Sequence, residues 1–134
     1  MKLYLAAPSR YAPLMLEHVT TLAASGHTVT SRWHHAPSYA LDADILAAGN
    51  EAQAARWALL DLEDIAAADW LLLFTDALPL SRGGRHFETG YAHALGTRIA
   101  VLGAVEILFH RLPGVCRHQD LAAWLAVHQE VPHA

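Results

Sequence analysis

Trp70-Leu71-Leu72-Leu73-Phe74 is an unbroken apolar run set between Asp69 and Thr75. A continuous run of this kind suits a central parallel strand covered on both faces. Toward the C-terminus lies Ser81-Arg82-Gly83-Gly84-Arg85-His86-Phe87-Glu88-Thr89-Gly90-Tyr91-Ala92-His93-Ala94-Leu95-Gly96. It reads as a helix over Gly84 to Gly96, and Ile99 to Leu102 reads as the next strand. The segment sets a lone carboxylate, Glu88, on the expected first turn of the helix. An acid at a strand-to-helix junction of an α/β protein stands where ligands usually bind.

Working outward, Lys2 to Ala6 reads as a buried strand ending at Pro8. Pro13 to Ser25 has Leu14, Leu16, Val19 and Leu22 as apolar helix positions and Gly26 as a stop. His27 to Trp33 alternates as a second strand. His34 to Gly49, with Pro37, Ser38 and Tyr39, is the least regular part and reads mainly as a long loop, with room for a short helix. Asn50 suits the cap of a helix reaching about Ala67, with Ala54, Trp57, Ala58, Leu62 and Ile65 at helical spacing. Ile107 to Leu112 reads as a turn or short helix, Val115 to Arg117 as a short fifth strand, and Gln119 to His128 as a closing helix. The alternation predicts an α/β fold with a doubly wound parallel sheet of four to five strands and helices on both faces. No linker divides it, so residues 1–134 form one expected domain.

Composition narrows the function. The chain is 54% hydrophobic and 16% charged, as a globular protein is. A net charge of -4 with nine Lys and Arg offers no basic excess for a nucleic acid polymer. The lone Cys116 excludes an internal disulfide and fits a cytoplasmic protein. The apolar N-terminal run is cut at Pro8-Ser9-Arg10, too soon for a signal peptide, and no apolar run is long enough to span a membrane. Ten histidines lack a ligand arrangement: there is no H-E-x-x-H, His34 and His35 are adjacent, and His86 with His93 has no third partner. Neither metal nor cofactor is expected. Ser81 to Gly84 is not followed by the Gly-Lys-Ser/Thr of a phosphate-binding loop, and no G-x-S-x-G elbow exists.

The chemistry rests on few residues. Gly83 and Gly84 permit a sharp turn and close approach to a ligand. The helix start favours an ionised Glu88, which would suit it as a nucleophile; the same spacing fits an ordinary helix acid equally well. Gly90, Ala92 and Ala94 leave room for close helix–sheet packing. Asp61 and Asp64 share a helix face, and one of them facing Glu88 would give the two-carboxylate pair of glycosidic cleavage; a solvated acidic face is the alternative. Tyr4 stands on the first strand, either as a core aromatic or as a hydroxyl that orients a carboxylate. Ser9 and Arg10 follow that strand at the switch point, placed to grip a phosphate or sugar hydroxyl. Trp33 is either a lid over a base or a cap on the core.

Taken in order, Leu3-Tyr4-Leu5-Ala6-Ala7-Pro8, Asp61-Leu62 with Asp69, and Gly84 through Glu88-Thr89-Gly90-Tyr91-Ala92 closed by Leu95-Gly96 resemble the nucleoside 2-deoxyribosyltransferase family and its nucleotide N-glycosidase relatives. The resemblance covers nearly the whole chain. It implies a flavodoxin-like (Rossmann-like) fold and a double displacement at a sugar carbon. Glu88 matches the nucleophile that attacks C1′, Asp61 the acid that protonates the departing base, and Tyr4 the tyrosine that positions the nucleophile. It also implies a homodimer or higher homo-oligomer.

Two departures shape the expected substrate. Transferases of free nucleosides often carry an aspartate six residues before the nucleophile, where this chain has Arg82. The loop Ser81-Arg82-Gly83-Gly84-Arg85 suits a 5′-phosphate instead, beside a helix N-terminus. The asparagine that a neighbouring subunit often supplies has no counterpart in Glu106-Ile107-Leu108-Phe109-His110, where His110 is the candidate substitute. The expected activity is cleavage or transfer at the N-glycosidic bond of a small-molecule nucleotide or nucleoside. The alternative is a non-catalytic nucleotide-binding module on the same fold.

Overall fold

The computed structural model describes residues 1–36, 43–75 and 83–129. Five strands, β1 (Lys2–Ala6), β2 (Thr28–Val29), β3 (Trp70–Phe74), β4 (Arg98–Leu102) and β5 (Cys116–His118), form one parallel sheet in the order β2-β1-β3-β4-β5. Among the described residues four helices, α1 (Ala12–Ala24), α2 (Glu51–Ala66), α3 (Gly84–Ala94) and α4 (Leu121–Val127), cover it. The strand order is that of flavodoxin-like folds, with the switch point between β1 and β3.

The apolar runs became the interior because both faces of their strands are covered. Leu3, Tyr4, Leu5, Leu71, Leu72, Leu73, Val101 and Leu102 are fully buried. Register separates the two faces: Tyr4 pairs with Leu71, and Leu71 with Ile99, so these three point the same way. On the opposite face Trp70 packs edge-on against Trp124 of α4, and Phe74 stacks on His18 of α1 at 5.0 Å. Tyr4 therefore lies under α2 and α3, and the aromatic cluster under α1 and α4.

Three expectations shift. The second strand keeps only Thr28–Val29, because side chains take over its bonding to β1. Ser31 Oγ accepts from the Leu5 amide at 3.2 Å, and the Trp33 indole N–H donates to the Leu5 carbonyl at 2.7 Å. The stretch from His34 carries short 3-10 turns at Trp33–His35 and Ala43–Leu46, while Pro37, Ser38 and Tyr39 lie outside the described residues. Finally, the close-packing role expected of Gly90 and Ala94 is absent. Both face outward, nothing lies within 4 Å of a Cβ placed on Gly90, and Ala92 alone of the three is buried against the sheet.

Candidate active site

The three residues singled out for chemistry come together from three elements. Tyr4 rises from the middle of β1, Asp61 from α2, and Glu88 from α3, which packs against both. Tyr4 is fully buried. Asp61 and Glu88 are half-buried as residues, but Asp61 Oδ1, Glu88 Oε2 and the Tyr4 hydroxyl are sealed from solvent with no hydrogen-bond partner among the described residues. Buried polar atoms are almost always paired, so three orphans on adjoining elements make this a candidate site; His34, His86, His110 and Trp124 each carry one as well.

Electrostatics ties the three together. Burial pushes the Glu88 carboxyl up to about 8; the Tyr4 phenol opposes this by favouring the anion, and the charge of Asp61 adds to it. The phenol lies near enough to act on Glu88 without reaching full hydrogen-bond geometry. Asp61 is pushed up to about 7, first by burial and then by the negative charge of Asp64, against the pull of Arg32. Tyr4 is raised as well, by burial and then by Glu88 and Asp61. These findings correct the expected protonation of Glu88. It sits on the second turn of α3, not the first, where the helix field has weakened, and desolvation wins.

The neighbouring acids are differently placed. Asp64, three residues beyond Asp61 on α2, is buried and held by Arg32: Nη2 lies 2.8 Å from Oδ1, and the Arg32 backbone amide donates to Oδ2 at 3.0 Å. This pins α2 to the segment after β2.

The loop residues divide. Ser9 and Arg10 are exposed on a 3-10 turn, Ser9–Tyr11, directly after β1 and beside the switch point. Gly83 starts α3 with φ +100°, a left-handed conformation that glycine tolerates best, and Gly84 is the first helical residue. Ser81 and Arg82 lie outside the described residues.

Arg85 departs from the phosphate-gripping role expected of it. It is 2% exposed, and its guanidinium grips Glu106 at 2.6 and 2.7 Å while donating to the Phe74 carbonyl at 3.2 Å. Trp33 is buried with its indole N–H committed to Leu5, a core cap rather than a base-stacking lid. His110 is buried within its own chain rather than offered to a neighbouring subunit. Its Nδ1 accepts from the Glu106 amide at 3.2 Å, which puts the proton of the neutral ring on Nε2. Its ring lies 5.5 Å from that of His86. Burial lowers both histidines, so they stand neutral at physiological pH.

Sequence reasoning missed the Arg85–Glu106 pair. The one available signal was that Arg85 precedes Glu88 by three residues and so shares its helix face. A shallow depression of ≈ 550 Å³, lined by Asp69, Trp70 and Arg98, lies at the N-terminal ends of β1, β3 and β4 and takes no part in this site. Among the described residues no three metal-ligating side chains cluster, and no helix is long and apolar enough to cross a membrane.

No family model and no curated protein matches the chain in sequence. Among solved structures it is similar to the CMP N-glycosidase BcmB of Clostridium botulinum. The TM-score is 0.58 and the identity 21%, over 95% of this chain and 97% of that one. The likeness establishes the shared fold along nearly the whole length.

Proposed function

We propose that this protein cleaves the N-glycosidic bond of a nucleoside 5′-monophosphate. The observation that carries the reading is the convergence of three orphaned buried polar atoms, from Tyr4, Asp61 and Glu88, beside the switch point. The fold shared with a CMP N-glycosidase supports it.

The chemistry follows from the pair of carboxyls. With both titrations raised, the pair keeps a proton at neutral pH. Glu88, at about 8 against about 7 for Asp61, holds that proton at rest; the reaction proceeds from the other tautomer, with the proton on Asp61 and an anionic Glu88 that the Tyr4 phenol favours. Asp61 gives that proton to the nucleobase as the C1′–N bond breaks and the bonding electrons leave with the base. The electron-poor C1′ is stabilised and then trapped by the Glu88 carboxylate as a glycosyl ester. Water, deprotonated by the Asp61 carboxylate, attacks C1′, freeing the sugar phosphate and returning both carboxyls to their starting states. Ser9 and Arg10, exposed at the strand end, hold the phosphate together with Gly83 and Gly84 at the start of α3.

The test is incubation of the protein with nucleoside 5′-monophosphates and nucleosides, with and without a second free base. Free base released from the monophosphate supports the reading. A new nucleotide formed only with the acceptor base redirects it to transfer. Saturable binding without base release replaces it with a nucleotide-binding module. We also propose self-association through α3 and the residue that follows it, where Phe87 and Leu95 are 67% and 50% exposed. Sedimentation of Phe87→Ser against the parent checks this: a lighter species is expected, and an unchanged mass contradicts it.

A further inference from the structure

The start of α3 is fastened to the sheet by a device that no strand or helix supplies. Arg85 lies on the first turn with its guanidinium beneath the helix. Both of its terminal nitrogens meet Glu106, one at 2.6 Å and the other at 2.7 Å, and one also donates to the carbonyl of Phe74, the last residue of β3. Glu106 stands in the segment after β4. That segment is itself tied down: the Thr75 hydroxyl donates to the Ala104 carbonyl at 2.6 Å, and the Glu106 amide donates to His110 Nδ1 at 3.2 Å. The first turn of α3 is thus joined to the C-terminal ends of two strands at once.

Glu88 lies one turn further along the same helix face. A shift of the first turn carries its carboxyl with it. A buried ion pair is a poor source of net stability, because desolvation offsets its attraction, but its two-point geometry fixes one arrangement. A substrate phosphate could reach Arg85 only by displacing Glu106, whose own charge would repel it.

We infer that Arg85 and Glu106 are a positioning pair, holding the start of α3 on the ends of β3 and β4 so that Glu88 meets C1′ in line. This rests on the reading of Glu88 as the reacting group. Neither residue touches substrate.

Two variants test it, Glu106→Gln, which keeps shape and removes charge, and Arg85→Lys, which keeps charge and removes the fork. Each is expected to lower kcat about 10- to 100-fold while KM stays within a few-fold, as misplacement of a reacting group does. The fractional loss should be equal for a nucleoside and its 5′-monophosphate. A KM that rises more than about tenfold for the monophosphate alone, with kcat unchanged, would make Arg85 a phosphate ligand and overturn the inference. Unchanged kcat in both variants overturns it too. Should Arg85→Lys not fold, Glu106→Gln carries the test.

Hydrogen exchange separates this inference from the proposed activity. In Glu106→Gln, amides of residues 84–88 should exchange about tenfold faster while those of α1 and α4 keep their rates. That result supports the clamp even if the protein cleaves no nucleotide. Unchanged or uniformly faster exchange overturns it.

Discussion

Asp61 and Asp64 sit one helical turn apart on α2, yet they have opposite fates. Asp64 is buried and answered by Arg32 at 2.8 Å. Asp61 has an oxygen sealed from water and unanswered among the described residues. The same contrast recurs across the sheet end, where Glu106 is answered by Arg85 at 2.6 Å while Glu88 Oε2 has no hydrogen-bond partner among the described residues. The answered acids hold elements together. At the unanswered ones desolvation outweighs what the Tyr4 phenol and Arg32 offset, which raises their pKa values and leaves them able to take and give protons. Partnership, more than burial, distinguishes the structural carboxylates from the reactive ones.

The sharpest break in that contrast is Glu88→Ala. It should abolish base release by about a thousandfold or more, as loss of a nucleophile does, while far-ultraviolet circular dichroism stays unchanged. Asp61→Asn should lower kcat/KM about 100-fold or more, the usual range for a lost general acid. For the parent, kcat/KM should be bell-shaped, highest between about pH 7 and about 8, where the pair carries one proton. Asp61→Asn should lose the alkaline limb, because no proton on that residue remains to be lost.

Stability offers a gentler test of the same idea. The Glu88 carboxyl is raised from 4.5 to about 8, so the folded state binds its proton more tightly than the unfolded chain does. The stability this provides is complete below about pH 4.5 and disappears as pH rises through about 8. Glu88→Gln should therefore melt several degrees above the parent at pH 9 and converge with it near pH 4. The smallest effect belongs to Asp64→Asn. It removes one of the charges that raises Asp61, so the alkaline limb should move to lower pH by less than about one unit. It also frees Arg32 and α2, which a lower melting temperature would register.

Much of this was legible in residues whose partners are local or whose pattern is unbroken. The runs Lys2–Ala6 and Trp70–Phe74 declared themselves as strands because both faces had to be apolar. Tyr4, Asp61 and Glu88 were set apart by their resemblance to a family's motifs, because residue type alone suited a core aromatic, a solvated acid and an ordinary helix acid as well. The outward direction of Gly90 was hidden, since a small residue is equally at home against a sheet or against water. The side-chain bonding of Ser31 and Trp33 to Leu5, which shortens β2, left no periodic trace. Arg85 looked like a phosphate ligand because its partner lies 21 residues away, beyond any local pattern. The protonation of Glu88 was misjudged for a related reason: the helix field can be read from the chain, but desolvation belongs to the packed fold.

The most direct measurement is mass analysis of the protein quenched in acid during turnover of a nucleoside 5′-monophosphate, followed by peptide mapping. A pentose phosphate attached at Glu88, and missing from Glu88→Ala, is the expected result. Base release by an unmodified protein, persisting in Glu88→Ala, would contradict the account.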